Sequence, residues 1–134
     1  EDGLNYDDIS DYILADGYQL REWKLKDLMD SPDVTNVVSG LEGTKYSEAL
    51  TDVVPQYNET GSVAVFERAL DVYVAEHAKS LASKKPLGVG PIIGYLSQKE
   101  SEIKNLKIIA RAKREVDFPN SKIMEMLIWV QSLL

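Results

Sequence analysis

Residues 86–113 read PLGVGPIIGYLSQKESEIKNLKIIARAK, and this stretch decides the fold. Pro86, Gly88 and Gly90 make a corner, because proline stops an incoming helix and glycine turns the backbone at little steric cost. Pro91 suits the first turn of a new helix, where its missing N–H is not needed. Beyond it Ile92, Leu96, Ile103, Leu106 and Ala110 fall mostly at steps of three and four, the period of a helix with one apolar stripe. The spacing predicts a helix from Pro91 to about Glu115. Upstream of the corner, Val63, Phe66, Leu70, Tyr73, Val74, His77 and Leu81 predict a second long helix over 62–83. Lys84, Lys85 and Pro86 end it, with cations at the negative end of the helix dipole. Two long helices joined by so short a corner are expected to run antiparallel. At about 25 residues the helix from Pro91 is longer than a small isolated bundle needs, which suggests a larger assembly.

Working outward, the remaining elements are short. A helix is predicted over 4–14, capped by Asn5, with Ile9, Tyr12 and Ile13 on its apolar side. Gly17 interrupts the chain, and a helix over about 19–30 follows with Leu20, Trp23, Leu28 and Met29 inward. Ser31-Pro32 reads as N-cap and first helical residue of a third helix ending near Gly40. A fourth covers about 45–54 with Tyr46, Leu50 and Val54 apolar. Pro55 to Gly61 reads as a loop by composition, and a last helix spans about 120–131. Val53-Val54 and Ile108-Ile109 are too short for strands and sit inside helical patterns. The fold class is all-α: short helices plus two long ones.

Leu4 to Leu14, LNYDDISDYIL, aligns without gaps on Phe118 to Ile128, FPNSKIMEMLI, at an offset of 114 residues. Taken as a repeat, this makes residues 1–16 the tail of one helical unit and 17–134 the next unit. The chain opens on Glu1 rather than methionine, which suggests trimming or a piece of something longer.

Bulk properties narrow the function classes. The chain has 134 residues and a net charge of −7, a field that repels phosphate backbones and disfavours nucleic-acid binding. No window approaches about 18 consecutive apolar residues, so no membrane span is expected. The opening EDGLNYDD lacks the basic and apolar parts of a signal peptide. There is no cysteine, which excludes disulfides and thiolate metal sites and suggests a reducing compartment. Asn58-Glu59-Thr60 is therefore read as an accidental glycosylation sequon.

Catalytic constellations do not assemble. His77 is the single histidine, and its place beside Tyr73 and Leu81 reads as core or interface rather than general base. One histidine without cysteine also rules out the usual zinc sets. Gly88-Val89-Gly90-Pro91-Ile92-Ile93-Gly94 resembles a phosphate loop only superficially. Its third glycine comes one place late, no strand precedes it, and Pro91 lacks an amide donor. Glu100 and Glu102 point ~200° apart around a helix axis and cannot share one bond of a substrate. Lys104, Lys107, Arg111 and Arg114 form a positive stripe on an acidic chain, fit for a solvated face, an acidic partner or lipid head groups. No catalytic, cofactor or metal residues are assigned. A carboxylate magnesium site stays open by counting alone, so an α-helical enzyme with such a site and a generic helical adaptor remain the alternatives.

Residues 86–113 also resemble the signature near the C-terminus of the C subunit of archaeal and bacterial V/A-type ATPases, the counterpart of the d subunit in eukaryotes. Gly94-Tyr95, Glu100 with Glu102, Asn105 and Arg111 stand where that family has its Gly/Ala-Tyr pair, Glu-x-Glu, Asn and Arg. Gly17-Tyr18-Gln19-Leu20, Thr44-Lys45-Tyr46 and Phe66-Glu67-Arg68-Ala69-Leu70 match further family patterns. Ala15-Asp16 departs from the usual Pro-Gly, and 52–61 has no pattern to match. The resemblance implies one repeat of a three-domain helical funnel. Such a funnel is a non-catalytic socket that couples a rotating central shaft to a membrane rotor ring, for ATP-driven ion transport or ATP synthesis. It implies protein partners only, and a peripheral place on the cytoplasmic face of the cell membrane. Gly94, Tyr95, Glu100, Glu102, Asn105, Lys107 and Arg111 are the expected partner or inter-domain interface.

Overall fold

The computed structural model describes residues 6–14, 17–84, 86–115 and 117–128. Every regular element among them is helical. The chain divides into two compact units, Glu1–Val54 and Pro55–Leu134.

In the first unit α1 (Tyr6–Ile9) runs into a 3-10 turn, Ser10–Tyr12, and is followed by α2 (Glu22–Met29), α3 (Val34–Gly40) and α4 (Ser47–Thr51). Leu28, Val38, Leu41 and Leu50 are buried. α2 and α3 meet closely: a Cβ added to Gly40 would lie 2.7 Å from Leu28 Cδ2. Asp33, not Ser31, caps α3. One carboxylate oxygen accepts from the Asn36 amide at 2.8 Å and the other from the Asn36 side chain at 2.7 Å. Two acceptors outcompete one hydroxyl, so the helix starts after Asp33 and Pro32 stays outside it. The Asn36 backbone N–H, then its side-chain amide, hold the Asp33 carboxyl below its ordinary value. Trp23 is 64% exposed, against its expected inward place. It stands five residues from Leu28, ~140° around the axis, and an eight-residue helix has one buried side. The expected cap at Asn5 lies outside the described residues.

α5 (Val54–Thr60), all but its first residue in the second unit, stands where composition predicted a loop. Pro55 is tolerated because it sits in the first turn. Gly61 closes the helix with φ +66°, and its N–H donates to the Tyr57 carbonyl at 2.8 Å. Tyr57 packs on Phe66 with ring centroids 5.1 Å apart, so tertiary contact overrides the turn-like composition.

α6 (Ala64–Lys84) and α7 (Gly90–Ala112) are the two long helices, and α8 (Asn120–Met126) follows. They run antiparallel: Ala82 lies against Gly94 near the corner, and Asp71 bonds Lys104 farther along. The seam is not made of the large stripes that the periodicity picked out. Ala75 and Ala78 of α6 are buried, with Gly90, Gly94 and Ala112 of α7. A Cβ on Gly94 would stand 2.7 Å from the Ala82 Cβ, so the backbones approach as closely as side chains allow. Small residues thus meet small residues at Ala82 and Gly94, while of the predicted α6 stripe Phe66 is buried and Leu70, Tyr73 and Leu81 are half-buried. Ile92, Leu96, Ile103 and Leu106 are all more than half exposed, as are Val63 and Val74 of α6. His77 is also exposed, stacked on Tyr73 with centroids 5.9 Å apart, rather than inside a core.

Candidate functional site

The residues singled out on α7 do not share one surface. Gly94 lies in the seam, and its role is close approach to Ala82. Tyr95 is exposed, on another side of the same helix. Glu102 accepts from Lys99 Nζ at 2.6 Å in an exposed pair. Glu100 lies 3.8 Å from Lys104.

Lys104 has a closer partner. Its ammonium donates to Asp71 Oδ1 of α6 at 2.5 Å, with both side chains a third or so exposed. That hydrogen bond is the main cause of the raised Lys104 pKa, ahead of opposing desolvation and the attraction of Asp71 and Glu100. Exposure and screening keep such a pair to a net contribution of about 1 kcal/mol or less.

Asn105 faces inward and holds the chain after α8. Its Nδ2 donates to the Ile128 carbonyl at 3.0 Å, and its Oδ1 accepts from the Ile128 N–H at 2.8 Å. One side chain therefore satisfies both polar groups of one backbone residue, as an adjacent strand would. Arg68 of α6 donates to the Leu127 carbonyl at 3.3 Å, one residue earlier. Leu127 and Ile128 are buried as a result.

Between α6, α7 and this latched segment lies an open groove of about 320 Å³. Glu67, Arg68 and Asp71 line it from α6, and Lys104, Lys107 and Arg111 from α7. The positive stripe is thereby split: Lys104 is committed to Asp71, Lys107 and Arg111 face the groove, and Arg114 is not among its lining residues. Arg68 stood in the sequence only within the family-like run Phe66 to Leu70, with no role assigned to it, and Asp71 was not singled out. A further signal was that Glu67, Arg68 and Asp71 fall within about one turn of the helix preceding the basic stripe. Among the described residues no cluster of three or more histidines and carboxylates stands close enough to hold a metal ion. None of the described helices is long and apolar enough to cross a membrane. What the groove offers is cationic recognition beside an apolar lining.

Comparison with known proteins gives these features a context. Residues 2–126 match the family described as ATP synthase (C/AC39) subunit. The A-type ATP synthase C subunit of Methanobrevibacter smithii is 77% identical over 128 residues, covering 96% of this chain and 33% of the relative. The protein of the same name from Methanothermobacter thermautotrophicus is 61% identical over 126 residues, covering 94% and 33%. That of Methanosphaera stadtmanae is 50% identical over 127 residues, covering 95% and 33%. The chain thus spans about one third of the length of these relatives. No solved structure matches.

Proposed function

The chain belongs to the ATP synthase (C/AC39) subunit family, and from that premise we propose that it is part of a non-catalytic socket in the central stalk of an A-type ATP synthase. In this reading residues 17–134 form the last of three similar helical domains, and 1–16 the end of the one before. The funnel they build receives the rotating shaft and rests on the membrane rotor ring. Torque passes through it in either direction, so that ATP hydrolysis drives ions across the membrane or ion flow drives ATP synthesis. The socket is peripheral, on the cytoplasmic face, and its partners are proteins.

The observation that carries this reading is the family match through residues 2–126, joined to the outward placing of charge on the signature helix. Glu100, Glu102 and Arg111 are exposed rather than used up by the helix's own core. A coupling part needs stiffness and partner-specific surface, and packed helices with a small-residue seam supply the first. In a protein of the family's full length, alanine at Glu100, Glu102 and Arg111 together is expected to weaken shaft binding about tenfold or more, the cost of roughly one buried interface contact. Calorimetric titration with the shaft proteins reads this directly. Unchanged affinity would remove these residues from the shaft interface. Asn105 is left out of that set because its side chain holds Ile128.

A further inference from the structure

The groove between α6, α7 and the segment after α8 holds an unequal set of charges. Asp71 and Lys104 offset one another. Lys107 and Arg111, one turn apart on α7, have no hydrogen-bond or ion-pair partner among the described residues. Arg68 uses one N–H on the Leu127 carbonyl, while its Nε–H is buried with no acceptor, an unfavourable state for a charged donor. Glu67 is the remaining carboxylate of the lining. Ile108, Met126 and Ile128 add apolar surface.

We propose that this groove is a docking site for a carboxylate-bearing, partly apolar segment of a protein partner, seated with its acidic groups against Lys107, Arg111 and Arg68. Charge complementarity selects the carboxylate: two cations without a partner among the described residues, with the Arg68 guanidinium beside them, match one or two acidic side chains, and guanidinium binds carboxylate in a two-pronged fashion. The apolar lining selects a peptide over a free anion, since it buries leucine- or methionine-sized side chains next to the charged contact, the usual make-up of an interface. Phosphate-rich surfaces fit less well. The chain's net charge of −7 opposes a polyanion more strongly than a segment with one or two carboxylates, and Glu67 is a further negative group in the lining. The inference rests on the reading that this chain works by holding protein partners, and it names one face and one chemistry for doing so.

The test uses the full 134-residue chain, labelled with ¹⁵N. The probe is a six-residue peptide alternating leucine and glutamate, blocked at both ends. Its glutamine counterpart, inorganic phosphate and phosphatidylglycerol vesicles are the comparators. Saturable amide shifts centred on Lys107, Ile108, Arg111 and Ile128 are expected with the glutamate peptide, at least tenfold tighter than with the glutamine peptide. The double variant Lys107→Glu with Arg111→Glu should lose at least tenfold in affinity, and Lys122→Glu, away from the lining, should not. If charge reversal lowers the melting midpoint, Lys107→Gln with Arg111→Gln replaces it. Equal binding of the glutamine peptide, tighter binding of phosphate or vesicles at the same residues, or full binding by the double variant would overturn the proposal. Loss of the peptide site while a family-length protein still holds the shaft discards the groove alone. Loss of both discards the socket reading as well.

Discussion

Gly94→Val is expected to melt on the order of 10 °C below the unaltered chain. The added Cβ would lie 2.7 Å from the Ala82 Cβ, closer than real side chains approach, with the Ala78 carbonyl oxygen at 3.5 Å. Both neighbours belong to the facing helix, and Ala82 has no rotamer by which to yield, so α6 and α7 must separate or shift. Overpacking of this kind costs about 1–3 kcal/mol, and valine brings two further methyl groups to the same place. Removing a mid-helix glycine returns at most about 1 kcal/mol of backbone entropy, less for a β-branched residue. The balance stays strongly unfavourable, and for a domain of this size each kcal/mol moves the midpoint by several degrees. A reciprocal change makes the assignment specific. Gly94→Ala with Ala82→Gly moves one methyl across the seam and should melt well above Gly94→Ala alone, because contacting sites couple by about 0.5–3 kcal/mol. Circular dichroism melts read both effects. A Gly94→Val midpoint within about 2 °C of the parent would show that the helices do not meet at this residue.

The second large effect is local. Asn105→Ala removes both hydrogen bonds to Ile128 and leaves a buried N–H and C=O without partners. Each unmade bond of this kind costs about 1–3 kcal/mol if the group stays buried. The chain end has a cheaper response, which is to leave. The segment after α8 should therefore open, exposing Leu127 and Ile128 and freeing Arg68 from the Leu127 carbonyl. Hydrogen exchange at the Ile128 amide is expected to speed up roughly thirtyfold or more, the equivalent of about 2 kcal/mol. Amides in the middle of α6 should change far less. Unaltered exchange at Ile128 would mean that other contacts hold the segment and that Asn105 is incidental to it.

Much of this was legible in the sequence, for a physical reason. Long helices advertise themselves by period, and 62–83 and 91–115 were placed within a few residues of α6 and α7. The seam between them was not, because alanine and glycine carry little hydrophobic signal although they allow the closest approach. The eye follows Ile92, Leu96, Ile103 and Leu106, which lie on an exposed face of α7. α5 was hidden by Pro55, Asn58 and Gly61, residues that suit either a loop or the two ends of a short helix. The cap moved from Ser31 to Asp33 because only coordinates show which oxygen reaches the Asn36 amide. At the site, the basic stripe on α7 was readable from spacing. Its division between Asp71 and the groove depends on α6, 33 residues upstream of Lys104. Asn105 stood out through family resemblance, yet its partner Ile128 lies 23 residues downstream, beyond the reach of any local pattern.

On the socket proposal this chain transmits motion between shaft and ring. The most direct measurement compares ATP hydrolysis with ATP-driven ion pumping in membranes carrying a complete A-type complex, with and without its family-length C subunit. Hydrolysis that continues while pumping is lost, and pumping restored on adding that protein back, is the expected result. Pumping that persists without it, or hydrolysis that disappears with it while the head of the complex stays assembled, would contradict the socket.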